Sequence, residues 1–219
     1  MRPQHDSYAG LSNRYDDAIT ARRWWSKLYL HAIWGIDYNR IAHSVCNLLP
    51  CPLNGKLLEV PIGTAVFTAS YYQRQPEAKI VGVDFSQQML DIALQRLNAL
   101  EVHNVTLVPG DVTALPFHGD TFDYVLTMNG MQSFPDRIAA LQEMARILRP
   151  GGSLYGSFYT KGLRPLADWI ARVPLEHKKI FFRPHWTPRE AHELLQQYVG
   201  PITHAEQHGP IFVFACSKR

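Results

Sequence analysis

Between residues 55 and 158, short aliphatic runs alternate with amphipathic stretches, and three of those runs lead into an acid. Lys56-Leu57-Leu58 leads to Glu59, Ile80-Val81-Gly82-Val83 to Asp84, and Val105-Thr106-Leu107-Val108-Pro109-Gly110 to Asp111. Parallel strands need long crossovers, so strand-length runs separated by helix-length segments predict a parallel sheet covered by helices. The carboxyl ends of such strands open on a crevice where nucleosides bind, and a carboxylate there accepts bonds from ribose hydroxyls. Taken singly, an acid that ends a strand is a turn former or a helix cap. Three in register with successive strands point to one shared ligand, and the third suggests that a base is read as well as a sugar.

Strands are expected over Lys56–Val60, Lys79–Asp84, Val105–Val108, Phe122–Thr127 and Ser153–Phe158. Ser86 is an N-cap for a helix over Gln87–Leu100, whose Met89, Ile92, Ala93, Leu97 and Leu100 recur at helical spacing. A helix over Asp136–Leu148 carries Ile138, Leu141, Ala145 and Leu148 on one stripe and stops at Pro150-Gly151-Gly152. Residues 14–49 read as two helices leading into the sheet, with Trp25, Leu28, Tyr29, Ala32 and Ile33 on one side. Residues 162–186 read as an irregular insertion rich in proline, aromatic and basic residues. Thr187 caps a helix over Pro188–Tyr198 with proline at its first position. Ile202–Gln207 and Ile211–Ser217 read as a hairpin turned at His208-Gly209-Pro210.

At 219 residues the chain suits one domain with a single core. Hydrophobic residues at 46% and charged residues at 19% mark it as globular rather than disordered. A net charge of +3, with no Lys/Arg run longer than two, argues for a solvated surface rather than a nucleic-acid face. Cys46, Cys51 and Cys216 have neither Cys-x-x-Cys spacing nor an even count, so no metal site or disulfide framework is expected. With no signal-like N-terminus and no window of 18 apolar residues, a cytoplasmic protein without membrane insertion is expected.

The turn after the first strand reads Glu59-Val60-Pro61-Ile62-Gly63-Thr64-Ala65. Small residues there let backbone N–H groups approach a ligand. With Gly82-Val83-Asp84-Phe85-Ser86, Gly110-Asp111-Val112, Leu115-Pro116-Phe117, Phe122-Asp123 and Arg146-Ile147-Leu148-Arg149-Pro150-Gly151-Gly152, this turn resembles the class I S-adenosyl-L-methionine-dependent methyltransferases. The similarity is to the group acting on small molecules and quinone-like acceptors, and it covers about residues 40–160. Two outer glycines of the family's turn are replaced, by Pro61 and Ala65.

The resemblance implies an α/β, Rossmann-like three-layer fold with a seven-stranded, mostly parallel sheet whose last strand is antiparallel. Residues 1–50 would be an N-terminal helical lid, 51–160 the cofactor-binding core, and 161–219 the insertion, helix and hairpin of the same domain. It implies S-adenosyl-L-methionine as cofactor, with Glu59, Pro61 and Gly63 at its methionine portion. Asp84 would hold the ribose hydroxyls, Phe85 and Met89 would flank the adenine, and Asp111 with the Val112 backbone would read the exocyclic amine. Met128 and Asn129 would border the methyl group, and Tyr15 would close over the cofactor. An NAD-linked oxidoreductase also places an acid after its second strand, but its Gly-x-Gly-x-x-Gly needs glycines this turn lacks.

Displacement at a sulfonium carbon asks chiefly for alignment. Alignment supplies ~7–11 kcal/mol, against about 3–5 kcal/mol for a general base. A catalytic side chain is therefore not required. His185 is the first candidate for a base, since an imidazole titrates near neutrality; Tyr8, Gln132 and His31 are others. Thr127-Met128-Asn129-Gly130 lacks the Asn/Asp-Pro-Pro-Tyr that in this family marks nucleobase amines. All five tryptophans lie outside residues 55–158. Trp24, Trp25, Tyr29 and Trp34, with Trp169, Phe181, Phe182 and Trp186, are expected to line a lid over a small apolar or aromatic acceptor, with Gln132 beside it. The alternatives are a cofactor-binding relative that does not transfer methyl, or an RNA or protein methyltransferase. The basic residues Arg164, Lys178, Lys179 and Arg183 of the insertion could meet an anionic acceptor or be a solvated loop.

Overall fold

A computed structural model describes residues 35–219. Tyr15, Trp24, Trp25, Tyr29 and Trp34, with the first of the two expected N-terminal helices, lie outside the described residues. The sheet has seven strands: β1 (Lys56–Glu59), β2 (Lys79–Asp84), β3 (Val105–Pro109), β4 (Phe122–Met128), β5 (Leu148–Tyr159), β6 (Ile202–His208) and β7 (Ile211–Ser217). They lie in the order β3-β2-β1-β4-β5-β7-β6. Strands β1 to β5 are parallel, and β7 runs antiparallel between β5 and β6. The order reverses at β1, whose two neighbours are β2 and β4. A crevice opens at the carboxyl end of such a reversal.

Side-chain alternation along the strands builds two cores. Leu57 and Tyr155 join one apolar cluster, while Leu58 and Leu154 join the other. The first is closed by α1 (Tyr38–Leu48), α2 (Ala69–Gln73) and α3 (Gln87–Ala99), the second by α4 (Arg137–Ile147) and α6 (Pro188–Tyr198). Three layers result. The helix starts follow from capping: Asp37 accepts from Asn39 N and Arg40 N, and Asp136 from Ala139 N. Thr187 and Glu190 form a reciprocal capping box ahead of α6. Ser86 precedes α3 without a side-chain cap bond, and its N–H donates to Asp84 Oδ1.

Two expectations change. Residues 162–186 are not irregular throughout: α5 (Pro165–Ile170) begins on a proline and runs into a π-turn over Ala171–Leu175. Proline at the first helical turn loses no bond, which is how a proline-rich stretch still makes a helix. Pro150-Gly151-Gly152 lies inside β5 rather than before it, where Gly151 takes a positive φ of 75° and its N–H reaches Lys218 O. Asp123 anchors a strand start, accepting from Lys56 N at 2.6 Å and pairing with Arg149.

Candidate active site

A cleft partly open to solvent runs across the carboxyl ends of β1, β2 and β4 and the loop after β3. Glu59, Asp84 and Asp111 all line it, as do Pro61, Gly63, Phe85, Met89, Val112, Met128 and Asn129. Ten sequence-derived candidates, spread over seventy residues of chain, thus share one concavity.

Each acid is held differently. Asp84 accepts from Gly63 N at 2.8 Å through Oδ2 and from Ser86 N at 2.9 Å through Oδ1, which ties the β1 turn to the β2 turn. Asp111 accepts from the backbone N–H and the hydroxyl of Thr113, both at 2.8 Å, so the turn-forming role and the cleft position coexist. Glu59 is deeply buried, and its Oε2 accepts from Tyr72 Oη at 2.6 Å and Thr68 Oγ1 at 2.9 Å. Burial pushes its carboxyl up to about 8, against the opposing pull of the two hydroxyls. Tyr72 and Thr68 carry no motif of their own; only their own spacing, one helical turn apart in the segment after the β1 turn, could have flagged them.

The turn itself is strained where the sequence departs from glycine. Gly63 and Ala65 both take positive φ, 56° and 54°. A Cβ on Gly63 would meet nothing within 4 Å, so that side of the turn faces open cleft. Pro61 is accommodated by its partner across the sheet: a Cβ on Gly130 would stand 2.3 Å from Pro61 Cδ and 2.9 Å from Phe134 Cζ. Asn129, with φ 53°, donates its N–H to Ser157 O, while its Oδ1 is buried without a partner among the described residues.

Of the acceptor-side candidates, Gln132 is a brace beneath the cleft. Its Nε2 donates to Asn129 O at 2.7 Å and its Oε1 accepts from Tyr159 N. Its backbone carbonyl receives Phe182 N at 2.9 Å. Trp186 and His185 do not line the cleft. Trp186 packs edge-on against Phe158 beneath the Arg137 guanidinium, because a ring this size completes the core under β5. His185 is 8% exposed and sits between Arg137 (3.2 Å to Nδ1) and Glu176 Oε1 (2.8 Å from Nε2). Arg137 can only donate, so Nδ1 accepts and Nε2 carries the proton. Burial and the Arg137 charge lower the histidine's pKa. Of the insertion aromatics, Phe181 is buried and Trp169 is 56% exposed. Phe182 lines the cleft with Ser133, Phe134, Pro135 and Lys179.

A family described as Methyltransferase domain matches residues 57–152. A demethylmenaquinone methyltransferase of Bacillus cereus (strain ATCC 10987 / NRS 248) is 33% identical over 154 residues, 68% of this chain and 59% of that protein. The chain therefore spans about three fifths of that relative's length. A solved SAM-dependent methyltransferase from Thermotoga maritima superposes with a TM-score of 0.70 at 19% identity, covering 99% of this chain and 100% of that one.

Residues 57–152 are a methyltransferase domain, on the fold of the solved S-adenosyl-L-methionine-dependent methyltransferases.

The methyltransferase cleft fits its cofactor by its donor set. Acids end β1 and β2 and follow β3, an open glycine faces the cleft, and Phe85, 47% exposed, lines it with the apolar Met89 and Val112. The orphaned Asn129 Oδ1 lies at the end of β4. No three His, Cys, Asp or Glu among the described residues are grouped to hold a metal, and no helix among them is long and apolar enough to cross a membrane.

Proposed function

We propose that this protein transfers a methyl group from S-adenosyl-L-methionine to a small, flat, apolar or aromatic acceptor of the quinol or phenol kind. The observation that carries the reading is the meeting of three acids with an apolar wall, Phe134, Pro135 and Phe182, in one cleft. The likeness to demethylmenaquinone methyltransferases supports the acceptor class. When bound, the cofactor supplies a methyl group activated by a positively charged sulfur. Asp84 would hold the ribose hydroxyls, Asp111 and the Val112 N–H would read the adenine edge, and Phe85 and Met89 would sandwich its faces. Glu59 would meet the cofactor's ammonium, and Met128 and Asn129 would border the methyl group. Phe182 and Phe134 would shed water from the acceptor side, where exclusion strengthens every electrostatic contact.

His185 is a positioning residue in this reading. Its ring links Arg137 to Glu176 and so helps hold Phe182, whose N–H already reaches Gln132 O. Alignment alone supplies the larger part of the rate, so no general base is assigned. The test pairs calorimetry, using the demethylated cofactor, with transfer of labelled methyl to a panel of quinols, phenols and aromatic amines. Binding of one equivalent with turnover on a ring hydroxyl or ring carbon is expected; absence of binding would refute the reading. A second reading, binding without methyl transfer, draws on Ala65 in a left-handed conformation and on a [4+2]-cyclase, SpnF, with a TM-score of 0.65 at 22% identity over 77% of this chain and 58% of that one. Tight cofactor binding with no turnover on the whole panel would favour it.

A further inference from the structure

Lys179 occupies a backbone position that disfavors lysine. The helical segment that follows α5 ends there with Ile180 N bonded to Leu175 O and Lys179 N to Glu176 O, both at 2.9 Å. That pair of bonds is a Schellman ending, in which the left-handed residue is usually glycine because it has no Cβ to clash. Lys179 takes it with φ 55°. Such a conformation is costly and persists where the surrounding structure holds it; Glu101 ends α3 in the same way, and what distinguishes Lys179 is its place. Lys179 borders the cleft, on the stretch lined by Ser133, Phe134, Pro135 and Phe182. Among the described residues, Glu59, Asp84 and Asp111 are the acids of the lining and Lys179 is its basic residue. Among the described residues no ion pair engages Lys179, whereas the nearby Arg183 is paired with Glu176 at 2.6 Å.

We propose that Lys179 selects acceptors carrying an anionic oxygen, its ammonium pairing with that oxygen while the apolar body of the molecule lies against Phe134, Pro135 and Phe182. The proposal deepens the methyl-transfer reading and rests on it for what the acceptor is used for. A charge-assisted bond in a half-shielded cleft is worth about tenfold or more in affinity. A neutral quinol would gain little from it.

The experiment uses two fluorescent probes with the same rings, the anionic 8-anilino-1-naphthalenesulfonate and the neutral N-phenyl-1-naphthylamine. Both are titrated into the full chain with and without saturating demethylated cofactor. Lys179→Gly relieves the left-handed strain, so its melting temperature is expected to stay level or rise. Lys179→Asn, which also tolerates that conformation, repeats the charge loss without glycine's added freedom. Both variants are expected to weaken the anionic probe about tenfold, leave the neutral probe within twofold, and leave the demethylated cofactor's Kd within twofold. Lys178→Ala, which removes a neighbouring charge outside the cleft lining, is expected to change none of these. Equal losses for both probes would make Lys179 part of an apolar wall and overturn the proposal. A loss confined to the cofactor would assign the lysine to the cofactor's own carboxylate, and an equal effect of Lys178→Ala would reduce it to diffuse charge; each also overturns it. Failure of the wild-type chain to bind the demethylated cofactor would instead strike the methyl-transfer reading, independently of the probe comparison.

Discussion

Replacing Glu59 with glutamine separates what the buried acid does for the cofactor from what it costs the fold. An unfolded glutamate titrates near 4.5, and burial raises the folded one to about 8. A group with a raised folded pKa contributes its stability in full below the unfolded value and loses it as pH rises through the folded one. The loss here runs from pH 4.5 to about 8. At about 1.4 kcal/mol per tenfold change in proton affinity it totals about 5 kcal/mol, with about 3 kcal/mol gone by pH 7. Glutamine keeps a carbonyl oxygen to accept from Tyr72 and Thr68, but cannot ionise. Glu59→Gln is therefore expected to match wild type near pH 5 and to exceed its unfolding free energy by several kcal/mol at pH 8.5. Urea titrations at five pH values between 5 and 8.5 measure the difference directly. The same substitution should lower cofactor affinity at least tenfold, since an ammonium favours the ionised acid. Wild-type binding at pH 7 should also release close to one proton, visible as a buffer-dependent calorimetric heat. Parallel stability curves for the two proteins across this range would refute the argument.

Gly130→Ala drives a methyl into Pro61 and Phe134, and is expected to destabilise the fold by about 1–3 kcal/mol and to weaken cofactor binding, read by thermal melts and calorimetry. His185→Gln is expected to lose about 1–3 kcal/mol of stability from the broken Arg137–His185–Glu176 chain while leaving the pH–rate profile unchanged; a lost inflection near neutrality would restore it as a base. Because its folded pKa is lowered, the neutral imidazole contributes above the ordinary value of 6.5 and that contribution fades as pH falls below it, so wild type and His185→Gln should converge in stability at mildly acidic pH. Arg137→Met removes the donor to the carbonyls of Phe182 and Pro184 and is expected to expose residues 171–186 to limited proteolysis at least several-fold faster, with acceptor KM rising more than cofactor Kd.

The sheet was legible because each of its rules is local. Short aliphatic runs set the strands, and the helix-length stretches between them allow only crossovers between parallel neighbours; which core each of Leu57 and Leu58 joins came with the structure. Glu59, Asp84 and Asp111 were legible for the same reason, since each stands where a strand has just ended. The insertion was not. Its path depends on Arg137, some 45 residues upstream, reaching the carbonyls of Phe182 and Pro184, and no local pattern encodes that reach. Trp186 reads as a lid residue and His185 as a base in sequence because aromatic and imidazole side chains serve clefts and cores equally well; burial against β5 decided for the core. Phe182, one residue from buried Phe181, took the cleft.

By itself, then, the sequence determined the alternation of strands and helices, the acids at the strand ends and the apolar stripes that stack the layers, all of which follow from backbone geometry over a few residues. Tertiary structure alone decided that Glu59 would be buried yet hydrogen-bonded by Tyr72 and Thr68, that Pro61 would rest against Gly130, and that Lys179 and Phe182 would line the cleft while His185 and Trp186 would not. Desolvation, close approach and burial are set by neighbours distant in the chain, and a linear pattern carries no measure of them.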